Sequence, residues 1–140
     1  MMEVIFVIII LGILAAVALP KLAATRNDAK VSLMAQNIET AAMEIATYAA
    51  SKGDTEKDFL IMSNAVSKLK EAGDAVLTDD KADFYIDGTK CIEMEVQRSA
   101  TNNDLVVSFV SSTNDMCTKL QSLIDNSKYP MRLRGNTVVY

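Results

Sequence analysis

The residue with the clearest chemical demand is Glu3, which stands in front of an uncharged apolar run, Val4 to Leu19. A carboxylate beside hydrocarbon costs free energy unless a cation or hydrogen-bond donors satisfy it. The run contains no such group, and we do not expect the rest of the same chain to supply one. We therefore expect the partner of Glu3 to come from a neighbouring chain.

Catalytic and metal chemistry are not indicated elsewhere. The sequence has no histidine, which removes the commonest general base and metal ligand. No serine or cysteine has a nucleophile context, and no glycine-rich phosphate loop occurs. The acidic cluster lacks the glycine and glutamate spacing of a calcium loop and is interpreted as a solvated turn; it comprises Asp79, Asp80, Asp83 and Asp87. We expect no enzyme activity, no cofactor and no metal site.

The charge pattern also argues against nucleic-acid binding. The formal net charge is −4, and no basic stripe is visible. Aromatic residues make up 6% of the chain, with no tryptophan, so platforms for stacking bases or sugars are not expected.

The two cysteines, Cys91 and Cys117, allow one pairing within the chain. In an exported protein they would form a disulfide closing a loop of about 25 residues, with a stabilisation of roughly 3 kcal/mol. In a cytosolic protein they would be two buried free thiols. The membrane-type N-terminus favours the disulfide.

The apolar run has 16 residues and would be about 24 Å long as a helix. It is shorter than the ~20 residues that usually span a membrane. A cleavable signal peptide would need a basic front, whereas this run begins with Glu3 and continues through Pro20 into a helix. A simple membrane anchor is disfavoured by the positive-inside rule, because the basic residues Lys21, Arg26 and Lys30 all follow the apolar run. A helix that begins in a membrane and is later buried among its own copies gives Glu3 a use.

Two residues weaken this helix. Pro20 removes a backbone donor and should kink the rod without ending it. Gly12 costs about 1 kcal/mol relative to alanine, so the intervening segment could loosen when its packing changes. Close packing in the membrane is an equally good interpretation of Gly12.

The helix is expected to continue to about Ala50, because apolar residues recur at helical spacing; they are Val31, Met34, Ile38, Ala41, Ile45 and Tyr48. We therefore divide the chain into a long helix, 1–52, and a globular α+β head, 53–140. The helix comprises an apolar part, 1–20, and an amphipathic part, 21–52. An antiparallel sheet of the head should cover the apolar stripe.

The head is predicted to contain a helix whose apolar positions run from Phe59 to Leu69 and which ends at Ala72-Gly73, and a second helix, Thr113 to Ile124. Strand patterns cover 84–86, 91–97 and 105–110, with hairpin chemistry at Asp87-Gly88 and a polar turn at 79–81. The final segment, 131–140, shows strand residues around a Gly135-Asn136 turn.

The first 30 residues closely resemble the N-terminus of a type IV pilin or of a type II secretion pseudopilin. The resemblance rests on the spacing of Glu3, Gly12 and Pro20 within the apolar sequence. It implies a subunit inserted in the bacterial inner membrane, cleaved by a prepilin peptidase, N-methylated and extracted into a helical filament by the pilus assembly machinery. It also implies that Glu3 pairs with the N-terminal amine of an adjacent subunit. The cysteine pair matches the family's C-terminal disulfide.

The sequence departs from the family pattern at its start. The basic leader, the glycine and the phenylalanine that normally precede the glutamate are absent, and Met1 and Met2 occupy the positions of the two apolar residues before it. We expect that the chain starts two residues inside the mature protein.

Four functions follow as hypotheses. The first is the structural subunit of a type IV pilus, a homopolymer on the cell surface used for adhesion, motility or DNA uptake. The second is the major pseudopilin of a type II secretion system, a periplasmic filament subunit. An enzyme with an N-terminal anchor and a membrane-anchored binding protein that forms no filament are the other two.

Overall fold

The computed structural model describes residues 1–134 and has the predicted α+β fold. A long helix, α1 (Met2–Lys52), is followed by a five-stranded antiparallel sheet that packs against it, together with three short α-helices. The chain forms two compact units, Met1–Lys30 and Val31–Tyr140. The second unit, which we call the head, holds the hydrophobic core.

The apolar stripe of α1 is buried as its spacing predicts. Val31, Met34, Ile38 and Ile45 are in the core, and Tyr48 packs against it while partly exposed. The compact unit that we call the head therefore begins at Val31 and includes the rear part of α1, in addition to the head predicted from residue 53 onward. The predicted boundary at residue 52 marks the end of the helix α1.

The sheet is a meander in which each strand pairs with the next along the chain. Its strands are β1 (Ala75–Thr78), β2 (Lys81–Ile86), β3 (Thr89–Arg98), β4 (Asn103–Phe109) and β5 (Met131–Arg134). Alternate residues face the core; Phe84, Ile92 and Leu105 are fully buried. The Asp87-Gly88 turn joins β2 to β3 with positive φ at both residues, as this hairpin chemistry requires.

The prediction of one helix from Phe59 to Leu69 was wrong. The chain forms α2 (Phe59–Met62) and α3 (Asn64–Glu71), separated by Ser63, whose backbone is extended. Ser63 ends α2 and caps α3 by accepting a hydrogen bond from the Val66 N–H at 3.2 Å. Gly73 follows α3 with φ of +83°, a conformation that favours glycine at a helix end.

Glu44 on α1 holds the start of α3. Its carboxylate accepts a hydrogen bond from the Ser63 hydroxyl at 2.6 Å and another from the Ala65 N–H at 3.0 Å. Partial burial raises the pKa of Glu44, but these hydrogen bonds outweigh burial and hold the pKa below its ordinary value of 4.5. The ionised carboxylate therefore stabilises the contact between α1 and α3.

We expect Glu44→Gln to lower the free energy of unfolding by about 1 kcal/mol at neutral pH. Because the pKa is depressed in the folded protein, the stabilisation is complete above the ordinary pKa. It is lost as the pH falls through the folded-state pKa. Denaturant titrations of both proteins from pH 7 to pH 3 should show the difference shrinking below pH ~4.5. Glu56→Gln, on an exposed side chain, is the control; a pH-independent difference would contradict the account.

The last helix, α4 (Asp115–Leu123), is held to the sheet by a covalent bond and by one amide. Cys91 of β3 and Cys117 of α4 form a disulfide, with 5.2 Å between their Cα atoms. The Gln121 Nε2 donates to the carbonyl oxygens of Cys91 and Val110 at 2.8 and 2.7 Å. These bonds satisfy carbonyls near adjacent ends of β3 and β4.

A buried amide ties the loop after α1 to the sheet. The Asn103 side chain is 3% exposed and donates to Asp54 Oδ1 and Thr55 Oγ1, both at 2.9 Å. Arg98 donates to the Thr55 carbonyl at 2.8 Å. Strand β5 confirms the strand pattern that begins at Met131, and the predicted Gly135-Asn136 turn lies outside the described residues.

Candidate functional site

The uncovered apolar segment of α1 is the candidate functional site. Residues 1–30 are all exposed. The large apolar side chains up to Leu22 are among them, for example Phe6 at 66% and Ile8 at 62% exposure. Ile38 and Ile45, on the same helix within the head, are 0% exposed. Monomeric soluble proteins rarely expose a contiguous apolar surface of this extent, so the segment requires another surface to cover it.

One helix in the described chain, Met2–Lys52, is long and apolar enough to cross a membrane. Its best 18-residue window has a mean hydropathy of 2.9, and none of that window is buried. The finding rests on length and composition, and a signal sequence near an N-terminus meets the same criterion. It is consistent with membrane association.

Glu3 lies in the first turn of α1, where a carboxylate interacts favourably with the helix dipole. Within residues 1–134, the Glu3 carboxylate takes part in no ion pair or side-chain hydrogen bond. In apolar surroundings, the single chain would therefore offer this carboxylate no partner to offset its cost of desolvation.

Gly12 and Pro20 both lie inside the continuous helix α1. A Cβ atom added at Gly12 would meet no atom within 4 Å, so nothing in the single chain requires glycine there. Pro20 does not end the helix, as the sequence predicted. At 1.5 Å per residue, Glu3, Gly12 and Pro20 are spread along about 25 Å of the helix. They therefore do not form one compact site.

The first turns of the helix present a hollow suited to helix packing. Met2, Ile5, Phe6 and Ile9 line an apolar depression of about 180 Å³. Their i, i+3, i+4 and i+7 spacing places them on one face. Such depressions between side chains accept side chains of a second helix in ridges-into-grooves packing.

The acidic cluster of the sequence is dispersed among ion pairs. Asp80 accepts from Arg98 Nε at 2.6 Å, and Asp83 lies 2.9 Å from Lys90 Nζ. Lys90 also bonds Glu93, and these two carboxylates raise the pKa of Lys90. Among residues 1–134, no group of three or more histidine, cysteine, aspartate or glutamate side chains could hold a metal ion.

The head also carries an apolar groove that the sequence pattern did not indicate. It lies between α1 and the junction of α2 and α3 and has a volume of about 500 Å³. Its lining combines Met43, Tyr48 and Ile61 with polar side chains, among them Thr40, Thr47 and Asn64. Ile61 lies two residues before the break between α2 and α3 at Ser63, whose hydroxyl donates to the carboxylate of Glu44, 19 residues earlier in the chain.

Comparison of the chain with protein-family models, with curated proteins and with solved structures found no match.

Proposed function

We propose that this chain is the structural subunit of a type IV pilus filament and polymerises through the apolar part of α1. The observation that carries the proposal is the uncovered segment 1–22, whose one carboxylate has no partner within the described chain. The resemblance of residues 1–30 to type IV pilins supports the same role. The role is structural, and no enzymatic activity is part of it.

Burial of the segment would keep it out of water both before and after assembly. Fifteen large apolar side chains from Met1 to Leu22 are exposed. Complete burial of one such side chain contributes about 1.5–3 kcal/mol. Covering the whole set is therefore worth up to a few tens of kcal/mol before the entropy lost on association. A lipid bilayer supplies this cover before assembly, and other copies supply it afterwards.

The shape of the segment favours a filament over a closed dimer. A long rod that is apolar on every face needs several neighbours around it, because one partner covers one face. Identical chains that contact each other through two different surfaces form a ring only if the rotation between successive copies adds up to a full turn. Other rotations leave the assembly open. They then generate open helical polymers.

Glu3 would select the register of the incoming subunit. We propose that its carboxylate pairs with the N-terminal amine of an adjacent copy, as the pilin resemblance implies. In a bundle with little water, a misplaced copy would leave both charges unpaired, and this penalty is larger than the net gain from the correct pair. The pair therefore acts on specificity more than on affinity.

The location and partners follow from this role. Before assembly the subunit would reside in the bacterial inner membrane, where a prepilin peptidase and the pilus assembly machinery would act on it. After assembly it would form an extracellular surface filament used in adhesion, motility or DNA uptake.

The proposal is tested by purifying surface filaments from the native cells and analysing them by electron microscopy and mass spectrometry. This chain should be the main component, and deletion of its gene should remove the filaments. A deletion strain that keeps its surface filaments but no longer secretes exoproteins would transfer the role to the pseudopilin of a type II secretion system.

A further inference from the structure

We propose that the apolar groove of the head receives the N-terminal apolar helix of a second copy of this chain. This inference rests on the proposed filament and adds a specific contact to it, since the head then joins the assembly surface. The occupant is the exposed segment 1–22, and the receiving surface centres on Met43 and Ile61.

The groove is an unpartnered surface of the head in which two large exposed apolar side chains are flanked by polar ones, among them Thr40, Thr47 and Asn64. Met43 is 66% exposed and Ile61 is 58% exposed, although their chain neighbours Ala42 and Met62 are buried. The two exposed side chains line the same groove, with Tyr48 beside them. A surface that presents two large apolar side chains in a concave setting is typical of a site for an apolar partner.

Docking of the apolar run of the N-terminal helix in the groove would leave no charge without a partner. Among the described lining residues, one side chain is charged, Glu44, and its carboxylate is bound by the Ser63 hydroxyl and the Ala65 N–H. The run from Val4 to Leu19 carries no charge. Docking the run therefore places no charge of the run against the groove, and the carboxylate that borders the groove keeps its own donors.

The chain itself contains the partner surface that the groove needs. Fifteen of the exposed large apolar side chains of the described chain lie between Met1 and Leu22. A contact between two grooves would close a dimer and leave these residues uncovered. A contact between a groove and the helix of another copy joins two different surfaces and can repeat without closing. The second arrangement covers the groove and one face of the helix, leaves the other faces for further copies, and agrees with a filament.

Photo-crosslinking in assembled filaments tests the contact directly. A benzophenone amino acid replaces Ile61 in the full chain, and filaments are irradiated, separated and mapped by mass spectrometry. We expect crosslinks from position 61 to residues 1–22 of a second copy. The same probe at Val76, which is 52% exposed on β1, should give no link to that segment. Crosslinks from position 61 that map to the head of a second copy or to another protein would overturn the inference.

A matched pair of substitutions gives an independent measurement. Ile61→Lys places a cation where it would lose water without a partner, so we expect filament yield to fall at least about tenfold. Val76→Lys introduces the same charge on a similarly exposed side chain and should leave the yield unchanged. Retention of the Cys91–Cys117 disulfide and of the thermal unfolding midpoint in detergent verifies the fold of each variant.

The outcomes separate this inference from the proposed function. If the wild-type chain forms no filament, both fail. If wild-type filaments form and Ile61→Lys matches Val76→Lys in yield, the groove contact is contradicted and the proposed filament stands.

Discussion

We expect Glu3→Ala to abolish filament assembly while the protein remains in the membrane. The substitution removes the carboxylate and leaves the apolar run unchanged, so insertion in the bilayer should be retained or slightly enhanced. In the assembled bundle it would leave the amine of the neighbouring copy buried without its counter-charge. Breaking a buried pair in this way costs about 3–5 kcal/mol, which corresponds to a loss of roughly two to four orders of magnitude in subunit association.

The measurement compares filament yield with the amount of subunit in the membrane fraction. Glu71→Ala, an exposed glutamate of α3, removes the same side chain from the head and is the matched control. It should assemble normally. Filaments of normal yield and appearance from Glu3→Ala would exclude the pairing as an assembly determinant.

The second large effect concerns the disulfide. We expect the double variant Cys91→Ser/Cys117→Ser to lower the free energy of unfolding by about 3 kcal/mol, because the bond constrains a loop with a sequence separation of 26 residues in the unfolded chain. Both sulfur-bearing side chains are 0% exposed, so the serine hydroxyls would add a desolvation penalty. Against a typical total of 5–15 kcal/mol, the loss is large.

Equilibrium denaturation in detergent measures this loss. Wild-type protein unfolded in the presence of reductant is the control, since it also lacks the crosslink and should approach the stability of the double variant. Because Gln121 continues to hold α4 against β3, we expect the fold to persist with lower stability. A difference from the oxidised wild type of less than about 1 kcal/mol would show that the bond contributes little.

Local patterns predicted a large share of the fold. The repeated apolar spacing from Val31 onward predicted both the length of α1 and its buried stripe. The Asp87-Gly88 dipeptide predicted the hairpin, because its turn needs positive φ at two adjacent residues. In each case the signal lies within a few residues of the structure that it predicts.

The features that sequence patterns missed depend on contacts between distant residues. The helix predicted from Phe59 onward breaks at Ser63, which bonds a carboxylate 19 residues earlier in the chain. Strand β1 has four residues, too few for an alternating pattern to be clear, and forms by pairing with β2. The buried Asn103 side chain bonds Asp54 and Thr55, which are 49 and 48 residues earlier in the chain.

The candidate site shows the opposite balance. Glu3 and the apolar run were identifiable from residue type alone, since their demand arises from an unusual composition and not from tertiary contacts. An assembly role for Gly12 and Pro20 stays a prediction, and the single chain places no atom against a Cβ at Gly12. The groove at Ile61 was not predicted, because its lining combines residues of α1 with residues of the α2–α3 junction, which are distant in sequence.

The central claim, that this chain polymerises by burying its N-terminal helix among copies, is tested most directly by a helical reconstruction of native filaments by cryo-electron microscopy. We expect residues 1–22 of neighbouring copies to pack together at the filament axis. We also expect each Glu3 carboxylate to lie within about 4 Å of the terminal amine of another copy. A filament of this chain in which the N-terminal helix remains exposed, or in which Glu3 faces solvent, would contradict this claim.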